Sequence, residues 1–190
     1  MKITKIETLI GSDPSAGNLV YVRTHTDAGI HGIGEVYHVG PDMASAVWIE
    51  YFAEQLVGQN PTEIERNWAV CYQGARFPIG SSGLAALSAI DVSLWDITGK
   101  VLNKPVYELM GGKVRDKIRA YWDIHGDTPG ELADDAHKYV DKGYTALKAS
   151  PLSPNWRDMR WNDAVMDSTA RFKAIRQAVG DDIDVGFDAH

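Results

Sequence analysis

Hydrophobic residues are densest near the middle of the chain, between residues 82 and 112. In the first half of this segment they recur on nearly every side of a helix: Leu84, Ala85, Ala86, Leu87, Ala89, Ile90, Val92, Leu94, Trp95 and Ile97. A helix with this pattern is buried on most sides and does not lie on a surface. We therefore predict a central helix around which the neighbouring elements pack.

Residues at both ends of this segment set the limits of the predicted helix. Either serine at positions 81–82 can cap its amino end, and the Gly-Lys pair at 99–100 suits its carboxyl end. Pro105 can open a short second helix that stops at the Gly-Gly pair at 111–112. The sequence thus predicts a long helix followed by a short one.

Before the central segment, alternating apolar and polar residues predict strands over residues 2–10, 19–26 and 29–36. Asp27 and Ala28 form a short turn suited to a hairpin, so we expect an antiparallel meander. The Gly-, Pro- and Ser-containing stretch 11–18 is predicted to be a loop, with a mobile flap and an ordinary surface turn as equal alternatives.

Two helices are expected between the meander and the central segment. One begins at residues 41–42 and ends near Val57, and the other follows a capping box formed by Thr62 and Glu65 and runs to about Tyr72. The first part of the chain is therefore predicted to be an α+β unit. In the loop 74–82, Arg76 could bind a carboxylate through its forked guanidinium, although a solvated loop residue is the commoner interpretation.

After Gly112 the pattern changes to strands alternating with helices. Strands are predicted over residues 118–124, 146–150 and 184–190, and helices over 128–142, beginning at a Thr128 cap, and 162–179. Such β-α-β units give parallel pairing with right-handed crossovers, and ligands bind at the carboxyl ends of their strands. The polar residues at these ends are His125, Lys148, Ser150, Asp188 and His190.

Composition excludes several classes of protein. The formal net charge is -7 and the pI is near 5.3, which argues against a nucleic-acid partner because phosphate binding needs a basic face. The amino terminus has an alternating pattern without a signal peptide or membrane span, so we expect a cytoplasmic protein. Cys71 is the only cysteine, and a packing role is expected for it.

One long motif resembles a known family. Residues 89–100 (AIDVSLWDITGK), followed by 105–112 (PVYELMGG), resemble the segment that leaves the capping domain in the mandelate racemase and muconate-lactonizing branch of the enolase superfamily. The Gly-Ile-Gly-Glu sequence ending at Glu35 fits the same family. The resemblance implies an α+β capping domain over residues 1–112, made of a three-stranded antiparallel meander plus helices, followed over 113–190 by the first units of a (β/α)8 TIM-type barrel. A complete barrel takes about 250 residues, so a longer parent protein is expected.

The resemblance also implies a metal site. Asp188 would be the first of three carboxylate ligands to one Mg2+, and the other two would come from the next two strands, outside this sequence. The Asp188-x-His190 spacing is similar to that of the acid-sugar dehydratases of the galactonate and mannonate type. His190 is then expected to donate a proton to a departing hydroxyl.

The second strand separates subgroups of this family. Racemases and cycloisomerases carry Lys-x-Lys there, and here the same spacing reads Lys148-Ala149-Ser150. A serine cannot act as the proton-abstracting base, so that base is expected outside this sequence. Lys148 is expected to be the electrostatic partner of a substrate carboxylate or enediolate oxygen. His125 is a candidate substrate contact, with an ordinary loop histidine as an equal alternative.

The function implied is that of an Mg2+-dependent lyase that removes the proton alpha to a carboxylate and eliminates water from a sugar acid. The alternatives are a racemase or cycloisomerase of the same superfamily, or a non-catalytic capping module completed by a partner chain. We expect a small-molecule sugar acid as the partner, no nucleic acid or membrane, and a homo-oligomer. The 190-residue chain alone is expected to be inactive.

Overall fold

The fold was analysed in a computed structural model. It describes residues 1–13, 17–37 and 40–189. These residues form two compact units, one covering Met1–Val114 and the other beginning at Arg115. Each unit has its own hydrophobic core.

The first unit opens with an antiparallel three-stranded sheet in the order β1-β2-β3. Its strands are β1 (Ile3–Asp13), β2 (Gly17–Thr26) and β3 (His31–Glu35). The meander predicted from the alternating pattern is confirmed. The loop predicted over 11–18 is wrong at both ends, because pairing of β1 with β2 continues to Asp13 and Gly17. Residues 14–16, at the centre of the proposed flap, lie outside the described residues.

Four helices follow in this unit: α1 (Asp42–Leu56), α2 (Ile64–Gly74), α3 (Gly80–Leu102) and α4 (Val106–Leu109). The predicted central helix is α3, whose buried residues join those of α1 and the sheet in one core. Leu84 and Val92 of α3 are nevertheless about half exposed. The helix is therefore buried on most of its sides but not on all of them.

Glycines let β3 approach α3 closely. A Cβ atom added to Gly32 would overlap the carbonyl oxygen of Ser93, and one added to Gly34 would overlap that of Ala89. The hydroxyls of Thr24 and Ser93 form a buried hydrogen bond of 2.7 Å at the same interface. The Gly-x-Gly sequence before Glu35 thus has a packing role in this unit.

Two predicted helix caps are wrong. α3 begins at Gly80 after Ile79, and neither serine at 81–82 caps it. α2 has no capping box, because the side-chain oxygen of Asn60 accepts hydrogen bonds from the backbone N–H and the hydroxyl of Thr62. At its other end, α3 runs to Leu102, two residues beyond the predicted end at Lys100, and Asn103 follows as the C-cap in a left-handed conformation with φ of 52°.

The second unit is a parallel sheet with two long helices. Its elements are β4 (Trp122–Asp123), α5 (Pro129–Asp141), β5 (Ala146–Ala149), a short 3-10 helix (Trp156–Asp158), α6 (Trp161–Val179) and β6 (Asp184–Phe187). The strand order is β4-β5-β6, with both pairs parallel, as predicted. The Thr128 cap of α5 is also confirmed, and it forms a complete capping box with Glu131.

The strands of this unit are shorter than the sequence pattern predicts. The predicted strand 118–124 pairs with β5 only at Trp122 and Asp123, and the backbone N–H of Ile124 still donates to the carbonyl oxygen of Lys148. Ahead of this ladder, the guanidinium of Arg119 donates to the carbonyl and hydroxyl oxygens of Thr145. β6 ends at Phe187, although the backbone N–H of Asp188 still donates to the carbonyl of Ala149.

Within the ranges that the structure covers, no helix has both the length and the apolar character needed to cross a bilayer.

Candidate functional site at the strand ends

Three charged side chains meet at the carboxyl ends of the parallel strands. Asp123 ends β4, Lys148 lies in β5, and Asp188 directly follows β6. The Lys148 Nζ atom lies 2.7 Å from Oδ2 of Asp188 and 3.2 Å from Oδ2 of Asp123. One ammonium group therefore binds two carboxylates that come from the two neighbouring strands.

Alternation along the strands explains this meeting. In β5 the side chains of Leu147 and Ala149 are buried in the core, so Lys148 lies on the opposite face of the sheet. Lys148 pairs in register with Asp123 on one side and with Gly186 on the other. Because Gly186 has no side chain and Asp188 is two residues further along, the ammonium can reach the carboxylate across the strand.

The pKa of Lys148 is raised above its usual range, first by its hydrogen bond to Asp188 and then by that to Asp123. The ring of Tyr121 lies 5.8 Å from the same ammonium and adds a weak cation–π contact. The side chain of Lys148 is 26% exposed, so these groups remain open to solvent on one side. The ammonium is thus held as a stable positive charge at the carboxyl ends of the strands.

A cavity of about 280 Å³ opens beside these strand ends. Its lining includes Asp123, His125, Ser150, Arg171 and Asp188. A volume of this size can accept a small polar molecule, and the carboxylate, imidazole and hydroxyl groups around it can form hydrogen bonds with such a molecule.

His125 lies in the turn that follows β4. Its backbone N–H donates to Oδ2 of Asp135 over 3.1 Å. Desolvation acts to raise the pKa of Asp135, but the His125 N–H and the ammonium of Lys138 outweigh it and hold that pKa below its usual range. The Asp135 carboxylate is therefore a charged anchor for the His125 backbone at neutral pH.

The sequence-predicted site residues divide into three groups. Lys148, Asp188 and His125 lie together at the strand ends of the second unit. Arg76 is exposed in the first unit, where its guanidinium lies 5.6 Å from the ring of Phe77. His190 lies outside the described residues. The roles assigned to these five residues remain predictions.

Two residues of the site were missed by sequence reasoning. Asp123 lies inside the predicted strand 118–124, so the pattern does not place it at a strand end, and its position two residues before His125, on the same face, is the signal that could identify it. Arg171 gave no such signal, because an arginine within a helix is normally solvated. In the structure it is only 3% exposed.

The chain resembles proteins of one family over most of its length. Residues 6–111 match the family model for the N-terminal domain of mandelate racemase / muconate lactonizing enzyme. A curated relative, the D-galactonate dehydratase of Cronobacter sakazakii, is 35% identical over the whole chain. The chain spans 48% of that relative's length.

Solved structures give the same result for the fold. An enolase from Agrobacterium radiobacter with bound Na and L-malate matches the whole chain and 48% of its own length, with a TM-score of 0.87 and 37% identity. A member of the enolase superfamily from Salmonella Typhimurium matches 97% of the chain and 53% of its own length, with a TM-score of 0.85 and 32% identity. The chain therefore belongs to the mandelate racemase / muconate lactonizing enzyme family of the enolase superfamily.

Proposed function

We propose that this chain supplies the capping domain and the first strand–helix units of an acid-sugar dehydratase. The observation that carries the proposal is the ammonium of Lys148, held 2.7 Å from Asp188 at the carboxyl ends of parallel strands. Ligands bind at this edge in barrels of parallel strands. The relative named D-galactonate dehydratase supports a sugar acid as the substrate class.

The proposed reaction breaks two bonds of the sugar acid. The bond between the α-carbon and its hydrogen breaks first, and its electron pair passes into an enediolate of the carboxylate. The bond from the β-carbon to its hydroxyl then breaks, and the hydroxyl leaves as water after it receives a proton. The resulting enol gains a proton at its β-carbon and loses the proton of its enol hydroxyl, which gives a 2-keto acid, so the whole process is the loss of one water molecule.

Lys148 suits the role of stabilising the enediolate. A fixed positive charge favours the negative charge that develops on the carboxylate oxygens in the transition state. Its raised pKa keeps the amine protonated at neutral pH, so Lys148 is a poor candidate for a base that removes a proton. This argues for an electrostatic role of Lys148 over that of a general base.

Ser150 supports the same choice. Its hydroxyl lies 3.3 Å from the backbone N–H and the carbonyl oxygen of Leu152, and a serine hydroxyl has no basic character of its own. The position where the Lys-x-Lys racemases carry their base therefore has none here. We propose that the base comes from barrel strands outside this chain, and that His190 is the acid that protonates the leaving hydroxyl.

The metal in this proposal is Mg2+. Within residues 1–13, 17–37 and 40–189, no group of three His, Cys, Asp or Glu side chains is arranged to hold a metal ion. Asp188 fits the part of one ligand, because its carboxylate is an oxygen donor of the kind Mg2+ prefers and already binds a cationic group at the strand ends. The ion would supply positive charge beside the substrate carboxylate. Since one carboxylate binds Mg2+ only weakly, we propose that the 190-residue chain alone has no turnover.

The experiment compares this chain with a version extended to all eight barrel strands. Both are titrated with Mg2+ and incubated with D-galactonate and with sugar acids that differ in the configuration of their hydroxyls, and 2-keto acid formation is measured. Water loss from at least one sugar acid by the extended protein, with none by the chain alone, would support the proposal. Racemisation without water loss would favour the racemase alternative. Neither metal binding nor turnover by the extended protein would favour the non-catalytic module.

A further inference from the structure

Arg171 of α6 reaches a turn more than forty residues away in the sequence. Its guanidinium donates to the carbonyl oxygens of Gly126 and Asp127, each over 2.8 Å. These two residues directly follow His125 in the turn 125–127 after β4. The arginine is 3% exposed and lines the strand-end cavity together with the turn.

The backbone N–H donors of the same turn are bound by carboxylates of α5. The backbone N–H of His125 donates to Asp135, and the N–H of Asp127 donates to Oε2 of Glu131 over 2.8 Å. Gly126 is also tightly packed, since a Cβ atom there would lie 2.7 Å from the backbone nitrogen of Leu132. Within the turn, Arg171 binds the carbonyls, and the carboxylates of α5 bind the amides.

Stability alone does not explain a buried arginine at this position. Burying a guanidinium costs free energy, and an apolar side chain of similar volume generally packs at least as well. What an apolar residue cannot do is fix two adjacent carbonyl oxygens, because this requires the rigid fork of donors that arginine provides. The arrangement therefore fits the positioning of backbone better than the filling of a core.

We infer that Arg171 is a positioning residue that fixes the turn 125–127 and so keeps His125 at the cavity that Asp123 and Asp188 also line. The inference rests on the proposed function only for the ligand, which would be a sugar acid in contact with His125. Arg171 itself touches no reacting atom in this scheme and acts through the turn.

Arg176 provides a matched control on the same helix. Its guanidinium also donates to two carbonyl oxygens, those of Gly180 and Ile183, but these precede β6 at the opposite end of the strand from the cavity. Arg171→Met and Arg176→Met therefore each remove a guanidinium that binds two backbone carbonyl oxygens, one at the turn 125–127 and the other before β6. Amide hydrogen exchange of the 190-residue chain is measured in both variants, together with their thermal midpoints.

We expect Arg171→Met to speed exchange at the His125 and Asp127 amides by about tenfold or more, since a charge-assisted anchor is lost, and Arg176→Met to leave those amides within about twofold of the parent chain. Equal exchange at these amides in the two variants would overturn the inference. If Arg171→Met does not fold, Arg171→Lys serves instead, because it keeps the charge and loses the fork. Exchange at the parent rate in Arg171→Lys would overturn the inference as well.

Activity of the extended protein supplies a second readout that separates this inference from the proposed function. If a sugar acid is turned over, Arg171→Met should raise its KM by about tenfold with kcat changed less than about threefold, because the effect passes through substrate contact by His125. An unchanged KM beside faster exchange would overturn the positioning role. Absence of turnover in the parent extended protein would reject the proposed function, and the exchange measurements would still decide the role of Arg171 in the turn.

Discussion

The ammonium of Lys148 and the carboxylate of Asp188 lie 2.7 Å apart although 40 residues separate them in the sequence. Asp123 contacts the same ammonium from the other neighbouring strand. Each of the three strands thus contributes one charged group to a single cluster at its carboxyl end. This cluster and the packing within each unit lead to five testable predictions.

The cluster should keep Lys148 protonated above the ordinary lysine range. Because its folded-state pKa is raised, the stability that its ion pairs contribute is complete below the unfolded-state pKa, near 10.5, and is lost as pH rises through the higher folded-state value. A ¹³C NMR titration of the Lys148 Cε atom measures this pKa. Asp188→Asn should lower it toward 10.5, whereas Asp184→Asn, at the other end of β6, should leave it unchanged.

Lys148→Met and His190→Asn should have different effects on the two proposed chemical steps in the extended protein. Loss of the Lys148 charge should reduce both exchange of the substrate α-proton with deuterated solvent and water loss. Loss of a general acid in His190→Asn should reduce the rate of water loss by about 10²- to 10⁴-fold and leave the α-proton exchange in place. Lys173→Met, on the exposed face of α6, serves as the control. Retained exchange in Lys148→Met, or retained elimination in His190→Asn, would show that the role was assigned to the wrong residue.

Gly34→Ala should destabilise the first unit by about 1–3 kcal/mol or more, because the added methyl group would overlap the backbone carbonyl of Ala89, which cannot rotate away. The measurement is the free energy of unfolding in urea. Gly11→Ala is the matched control, since a Cβ atom at Gly11 of β1 has nothing within 4 Å. Similar losses in the two variants would contradict the close approach of β3 to α3.

Thr128→Ala should cost about 1 kcal/mol of stability, because it removes the hydroxyl that accepts from the N–H of Glu131 at the start of α5. Thr62→Ala should cost distinctly less, since Thr62 is exposed and caps no helix, and its hydroxyl donates to Oδ1 of Asn60. Urea unfolding of the two variants checks the difference. A larger loss of unfolding free energy in Thr62→Ala than in Thr128→Ala would contradict this difference and would favour the capping box that the sequence predicts at Thr62.

The Cys71 thiol should be unreactive in the folded protein. Burial raises its pKa to about 12, so the thiolate that attacks thiol reagents is scarce at neutral pH. Since the folded state holds its proton more tightly, this thiol favours unfolding as pH rises above the ordinary thiol range. Labelling by a disulfide reagent should be slow in buffer and fast in denaturing urea. Fast labelling under native conditions would contradict the burial of Cys71.

Local patterns in the sequence determined the order and type of most elements. The alternation before residue 36 gave the meander, the apolar density of 82–112 gave the long buried helix, and the strand–helix repeats after Gly112 gave the parallel sheet. The Thr128 capping box was also readable, because its donors and acceptors lie within four residues of each other. Lys148 and Asp188 could be placed at one edge because parallel strands end on the same side of a sheet.

Tertiary contacts decided the rest. The length of β4 depends on how far β5 runs beside it, and the extension of β1 and β2 to Asp13 and Gly17 depends on their mutual pairing. Asp123 belongs to the site because it contacts Lys148, and Arg171 because it binds backbone carbonyls more than forty residues away in the sequence. Such contacts depend on which segments the fold brings together, and single-residue patterns contain no record of that.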